Sequence, residues 1–408
     1  MLGQLLQLGL CVLGSNPSTP SSDLEFSPIV NVSQSDRPSQ VPSLAMAGGA
    51  IYVAWLETNK RNFFDIRFSR SLDSGATFST PINVSKQPDL YGFFLDPNIA
   101  ANKWGGVFIT WPGNPPGLYL AYSLDGGEHF SAPMLISGAQ GGGALPSVAC
   151  DRLGSIHVAW TGPGVTQNNG IYYTRSDDFR QFWTDQTSRR GRVLPRFSEP
   201  IHIHDGCRSR LAGRANGGVY AMLEADIPGP AGERFDVFLT RSIDGITFDP
   251  LLNVSYSADM SVRGSLTSDD HGNIFVAWME LSLNPYNWEV YVSALRDGDS
   301  SAPAYVNVSE YPAWNDVTTL DRAITVDRFG IVSVGWIRSA IDPGSFVRRS
   351  LDGAKTFCPP QLVPEYDSVN SRAALEIGSD EAGRVGFAWY QADDSGNIEI
   401  FFTLGTPK

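Results

Sequence analysis

Short alternating runs of apolar and polar residues dominate this chain, broken every few positions by Gly, Asp, Asn, Ser or Pro. Alternation with period two, bounded by turn formers, predicts strands, and no amphipathic helical stretch of any length stands out. One run recurs. Ile51-Tyr52-Val53-Ala54-Trp55 returns as Phe108-Ile109-Thr110-Trp111, His157-Val158-Ala159-Trp160 and Phe275-Val276-Ala277-Trp278, then as Ser333-Val334-Gly335-Trp336 and Phe387-Ala388-Trp389. A weaker copy ends at Leu223, and the successive anchors lie 56, 49, 63, 55, 58 and 53 residues apart. That period fits a four-stranded propeller blade, so the prediction is an all-β, seven-bladed β-propeller.

Each unit reads alike. A Pro/Ser-apolar-Ala strand comes first (Pro42 to Ala45, Pro97 to Ala100, Pro146 to Ala149), then an Asp/Gly turn such as Asp151 to Gly154, then the Trp strand. A third alternating strand and a short fourth one follow. The seventh unit stops after its third strand, Ile398 to Phe402, while Phe26 to Ser33 near the start matches the fourth strand Phe78 to Ser85. Borrowing that segment would close the ring without an open edge. Residues 23–408 therefore read as one propeller domain. Residues 1–22 read as a signal-like apolar segment with a polar linker, which implies a secreted or extracytoplasmic protein.

Composition narrows the function. A formal net charge of −13 excludes a broad basic face for nucleic acid. No run approaches the ~18 apolar residues of a membrane-spanning helix. Cys150, Cys207 and Cys358 match no zinc or redox spacing and read as buried small hydrophobes. There is no phosphate-binding Gly loop and no Cys/His metal set, so no cofactor and no metal is expected. Asp393, Asp394, Gly396 and Asn397 read as a plain turn, and His202 and His204 as a strand end. Four Asn-Val-Ser triplets (Asn31, Asn83, Asn253, Asn307) fall at the same fourth-strand place, so repeat register explains them better than glycosylation.

The third-to-fourth turns carry a more specific pattern: Ser71-Leu72-Asp73-Ser74-Gly75-Ala76-Thr77-Phe78, Ser123 to Phe130, Ser350 to Phe357, the shorter Ser242 to Phe248, and a degenerate Ser176 to Trp183. Ser and Asp would cap free turn amides, Gly would take a positive φ, and the aromatic would plug into the blade. This pattern resembles the Asp box (BNR repeat) of the sialidase-like propeller superfamily, over essentially residues 26 to 404. The resemblance implies fold strongly and function weakly, because that superfamily includes sialidases, other polysaccharide-active enzymes, assembly factors and sorting receptors.

Strand direction places the Asp boxes and the Asp/Gly turns at one end of the ring and the longer, variable loops at the other, where a site is expected. With the first strands aligned on Leu44, Ile99, Val148, Leu211, Leu266, Ile324 and Leu375, Arg208, Arg263 and Arg372 fall three places earlier and Arg322 two. Such a cluster would bind a carboxylate, sulfate or phosphate, or would pair with loop carboxylates such as Asp259. Glu57 and Glu280 lie two residues beyond their Trp anchors, and Arg338 holds that place in the sixth blade. Trp288 and Trp314 offer flat rings for sugars. The sialidase resemblance implies a Tyr nucleophile activated by a Glu and an Arg trio, with Tyr286 and Glu280 as first choice. Gln40 stands where the first such Arg belongs, Arg37 is out of register, and sialidases look six-bladed. The leading expectation is binding of an anionic glycan, with hydrolysis as its catalytic extension. The competing one is a non-catalytic propeller holding a protein or polysaccharide partner, through this face or through the basic insertion Arg180, Arg189, Arg190, Arg192 and Arg196.

Overall fold

A computed structural model describes residues 21–86, 90, 96–138, 142–164, 169–184, 195–229, 232–257, 259–283, 286–301, 304–309, 317–319, 323–338, 343–365 and 373–408. Their strands form seven antiparallel sheets arranged as the blades of a propeller. In blade one the strands Ser39–Ala47, Ala50–Thr58, Phe64–Ser71 and Ile82–Asn83 run from the axle outward. The anchor residues Trp55, Trp111, Trp160, Leu223, Trp278 and Trp389 are wholly buried, and Trp336 nearly so. Apolar clusters join each blade to its neighbour, as where Trp278 and Tyr291 of blade five pack with Tyr220 and Met222 of blade four.

The ring closes on the chain's first strand. Leu24–Phe26 and Val30–Asn31 pair antiparallel with the last strand, Ile398–Pro407, in the registers Leu24↔Pro407 and Val30↔Phe402. Thr403 Oγ1 donates to the Ser27 carbonyl at 2.9 Å, just as Ser69 Oγ donates to Ser79 at 2.5 Å inside blade one. Ser27 thus occupies the place that Ser79 holds, as the match between the two segments requires. The Asn-Val-Ser repeats are built into the same edge. Asn31, Asn83 and Asn253 accept from the backbone N–H three residues on, at 2.8–2.9 Å, and the middle Val is fully buried.

Turn chemistry fixes the lower end of the ring, where first-to-second and third-to-fourth turns meet. Ser71 Oγ accepts from Gly75 N–H at 2.8 Å and Asp73 Oδ1 from Thr77 N–H at 2.9 Å. The same pair of bonds recurs at Ser123/Asp125, Ser242/Asp244 and Ser350/Asp352. Glycine is required at Gly127, where φ is +71 to +81° along the turn and an added Cβ would stand 2.5 Å from the Phe68 ring of the preceding blade. Blade three departs from this pattern. Its degenerate turn opens into a short helix, Asp178–Thr184, that buries Phe179 and Phe182 against Phe108 and Tyr122 of blade two.

Between blades, the inner strands are tied by side chains. Ile99 N–H donates to Ser43 Oγ (2.9 Å), Val148 N–H to Asn98 Oδ1 (2.7 Å), Leu211 N–H to Ser147 Oγ (3.0 Å) and Ala323 N–H to Ser265 Oγ (3.1 Å). At the seam Leu44 N–H donates to Glu376 Oε2 (3.4 Å). The acceptor always sits one place before the axle residue of its blade. Blade seven therefore aligns on Ile377, which pairs with Phe387, and not on Leu375. Arg372 therefore lies five places before the axle residue, not three.

Candidate functional site

Leu44, Ile99, Val148, Leu211, Leu266, Ile324 and Ile377 narrow the axle to a cavity of about 160 Å³. The inner strands enter it from the upper face, and several do so through a β-bulge. Val41, Leu145, Arg263 and Ala374 all have φ between +49 and +54°, each three places before its axle residue. A bulge bends the strand and re-aims the residues at its kink. Only blade five, among these four, places an arginine there.

Blade four contributes its guanidinium groups differently. Arg208 pairs in register with Glu224, its Nε 3.9 Å from Oε1, and the same oxygen accepts from Gly264 N–H at 2.8 Å. Glu224 is buried, so one carboxylate braces both Arg208 and the backbone just past Arg263. Arg263 is half-buried and, among the described residues, makes no hydrogen bond or ion pair. Arg210, which sequence reasoning passed over, lines the axle cavity nearly buried, with Nη1 donating to the Ser209 carbonyl at 3.1 Å. Its signal was position: it replaces the Ser, Asn or Glu acceptor found in other blades. Arg322, Arg372 and Trp314 lie outside the described residues.

The expected acids are engaged in the scaffold. Glu57 is buried, with Oε1 3.0 Å from Arg67 Nε, and Arg67 also meets Asp65 at 3.3 Å. Glu280 accepts from the buried Trp278 indole N–H at 3.1 Å and from Ser261 Oγ at 3.4 Å. Arg338 is buried too, with its guanidinium 4.3 Å from the Phe346 ring centre. Trp288 is half-buried and packs against the core shared by blades five and six. Glu57 and Arg338 are thus buried, and Glu280 and Trp288 half-buried.

Register separates Glu280 from Tyr286. Glu280 pairs with Glu289, whereas Tyr286 pairs with Leu283. The Tyr286 side chain lies outside the described residues. The tyrosine that meets a glutamate is Tyr291, donating to Glu289 Oε2 at 2.9 Å, while Asn307 holds the same carboxylate at 2.8 Å. Burial, then the Glu289 and Glu280 charges, push the Tyr291 phenol up, away from what a phenolate nucleophile needs.

A second opening lies on the upper face between blades three and four. It encloses about 320 Å³ and is lined by Asn169, His204, Asp205, Cys207, Asp226 and Phe235. Neither Arg208 nor Arg263 is among the residues that line it. Among the described residues no three or more His, Cys, Asp or Glu side chains are grouped to hold a metal ion. Asp393 caps its own turn, accepting from Ser395 and Asn397 N–H at 2.8 and 3.0 Å.

No protein-family model and no curated sequence matches the chain. Solved structures do. A Dyadobacter fermentans DSM 18053 protein of unknown function is 15% identical, with a TM-score of 0.53 over 94% of this chain and 99% of its own. The polysaccharide lyase Uly1 is 8% identical, with a TM-score of 0.56 over 90% and 89%. A PL25 ulvan lyase bound to -[GlcA(1-4)Rha3S]- is 11% identical, with a TM-score of 0.57 over 93% and 94%. At these identities the likeness is one of fold, and it spans the whole propeller.

Proposed function

We propose that this protein is an extracytoplasmic propeller that binds an anionic polysaccharide at the upper mouth of its axle. The observation that carries the reading is the state of Arg263. A half-buried guanidinium without a partner among the described residues, on a bulge at the mouth, is a ready site for a carboxylate or sulfate, which it can hold by two parallel bonds. Arg208 stands on the other side of Glu224, so the next blade can supply a second contact. The formal net charge of −13 opposes the approach of a polyanion, so affinity must come from such short-range contacts. The signal-like segment at residues 1–22 and the Asp-box resemblance support the same reading, as does the acidic, sulfated chain held by the PL25 ulvan lyase.

Hydrolysis by a sialidase-like Tyr/Glu pair has less support. Such a reaction needs an available carboxylate beside its nucleophile, and Glu57 and Glu280 are already engaged. The test is affinity electrophoresis of the purified protein through gels containing ulvan, alginate, polygalacturonate or a neutral glucan. Retardation is expected in at least one acidic gel and none in the neutral one, and Arg263→Ala should weaken it about tenfold or more, as loss of a charge-assisted contact does. Equal mobility in all gels, or retardation untouched by Arg263→Ala, would remove the site.

A further inference from the structure

The lower face carries apolar side chains that neither the fold nor the binding reading uses. Eleven large apolar side chains are exposed among the described residues, and six of them stand on this face: Leu72, Leu153, Ile243, Ile246, Phe329 and Leu351. Four others sit on the short outermost strands, and the upper face holds Tyr256. Leu72, Ile243 and Leu351 share a place in the repeat, between the Ser and the Asp of their Asp boxes. Those two residues turn their oxygens inward to cap backbone amides, which leaves the residue between them at the tip of the turn. At 68% and 69% exposure Leu72 and Ile243 bury little of themselves, so folding gives no reason for an aliphatic residue there.

The charges of this face are unevenly engaged. The box aspartates accept from their own turns, Glu128 meets Arg70 at 3.8 Å, and Asp270 is paired with Arg152. Lys103, Arg328 and Lys355 are exposed and, among the described residues, form no ion pair; the exposed acid left to oppose them at the axle-side turns is Glu381. The chain also leaves the ring here. Ser21 is held at the lower end of blade six, its carbonyl accepting from Arg349 Nη1 at 2.6 Å. Leu13, which ends the apolar stretch Leu5 to Leu13, comes eight residues earlier, within about 29 Å of chain. Such a stretch is too short to span a bilayer but suits its interface.

We propose that the lower face docks on a lipid bilayer, with these six side chains set among the headgroups and the first acyl carbons. The geometry favours a bilayer over a protein partner. The prongs come from blades one, three, four and six, so they are spread around the axle rather than gathered in the single patch that a protein interface needs. A flat, fluid surface admits all of them at once. Lys103, Arg328 and Lys355 then reach lipid phosphates while their stems stay in apolar surroundings. The leading segment adds a tether on the same side. Docked this way, the ring turns its upper mouth, with Arg263, away from the bilayer and toward polymer in solution. The inference does not depend on what that mouth binds.

The full-length protein is floated with phosphatidylcholine vesicles, whose zwitterionic surface does not repel a net charge of −13. It should rise with the vesicles. Ile243→Ser/Ile246→Ser should lower its partition about tenfold or more, with melting temperature and polysaccharide retardation unchanged. Leu135→Ser/Leu362→Ser, on the outermost strands, should leave partition as it is. Because Cys150, Cys207 and Cys358 are not exposed, an environment-sensitive fluorophore can be placed on Ile246→Cys in a Cys11→Ser background. Its emission should shift to the blue on vesicles, and the same label on Leu135→Cys should not shift. Flotation without a shift at position 246 would mean that the leading segment binds alone, and it overturns the docking. Failure to float overturns it as well. So does self-association in solution that Ile243→Ser/Ile246→Ser abolishes, which would make this face an interface between copies of the chain.

Discussion

The indole N–H of Trp278 donates to Glu280 Oε2 at 3.1 Å, and in blade seven Trp389 donates to Gln391 Oε1 at the same distance. Two residues beyond the anchor, the strand thus supplies an acceptor for a buried donor. Carboxylate and amide serve equally in the two blades. Glu280→Gln should therefore leave the melting temperature and polysaccharide retardation close to wild type. Glu280→Leu should cost about 1–3 kcal/mol, the penalty for stranding a buried N–H. Thermal melts of both variants check this. Loss of function in Glu280→Gln with unchanged stability would return Glu280 to the candidate catalytic groups.

Closure of the ring makes the leading segment structural. Leu24 is buried in the core of blade seven, and its backbone is clamped by Gln361, which accepts from Leu24 N–H at 2.9 Å and donates to its carbonyl at 2.6 Å. Leu24→Ala should lose about 2–5 kcal/mol, as buried leucines do. Removing residues 1–33 should do more, because it bares the edge of Ile398–Pro407 and invites edge-to-edge pairing. Size-exclusion chromatography should then show higher oligomers. A monomeric, equally stable truncation would contradict the closure.

Most of the architecture is legible in the chain because the repeat carries its own checks. The anchor tryptophans give the period, and the likeness of Phe26–Ser33 to Phe78–Ser85 gives the seam before any coordinate is known. Blade seven shows where this fails. Leu375 and Ile377 are both apolar and two apart, so a slip of two residues keeps every side chain on its face and leaves no trace in the pattern. The helix Asp178–Thr184 is missed for a related reason: Phe179 and Phe182 sit three apart inside what reads as a decayed turn. The site was less legible. Glu57 looks like a free acid until Arg67 is placed across the sheet, Glu280 until the indole of Trp278 on its own strand is seen to donate to it, and Arg210 stands out only once the axle cavity exists.

The thiols give a simple chemical check. Cys150, Cys207 and Cys358 form no disulfide, and none is exposed. Burial, with the Glu224 carboxylate beside it, pushes the Cys207 thiol up to about 12, and burial raises Cys150 as well. The nucleophile is the thiolate, so neither should be alkylated appreciably at pH 8 in the native protein. Mass spectrometry after iodoacetamide treatment should find Cys150 and Cys207 modified only once denaturant is added. Rapid native labelling of Cys207 would mean that the cavity wall opens.

Strong acid should weaken the lower-face turns. Hydrogen bonds from Thr77, then Ser71, hold Asp73 down to about 2, and backbone bonds from Thr247 and Ile246 do the same for Asp244. In the unfolded chain an aspartate titrates near 3.9. A carboxyl whose folded pKa is depressed stabilises the fold fully above the unfolded value, and that contribution is lost as pH falls through the folded one. The window is therefore about pH 4 down to about pH 2. Melting temperature should hold from pH 7 to about 4.5 as far as these groups are concerned, then fall toward pH 2. Asp73→Ala should be destabilised most above pH 4, and its deficit relative to wild type should shrink as the pH approaches 2, where the wild-type carboxylate is itself being protonated. Both groups are exposed, so each turn's effect is modest, and the double variant Asp73→Ala/Asp244→Ala gives the larger signal. A deficit that stays constant from pH 7 to pH 2 would show that the turns depend on shape and not on the aspartate charge.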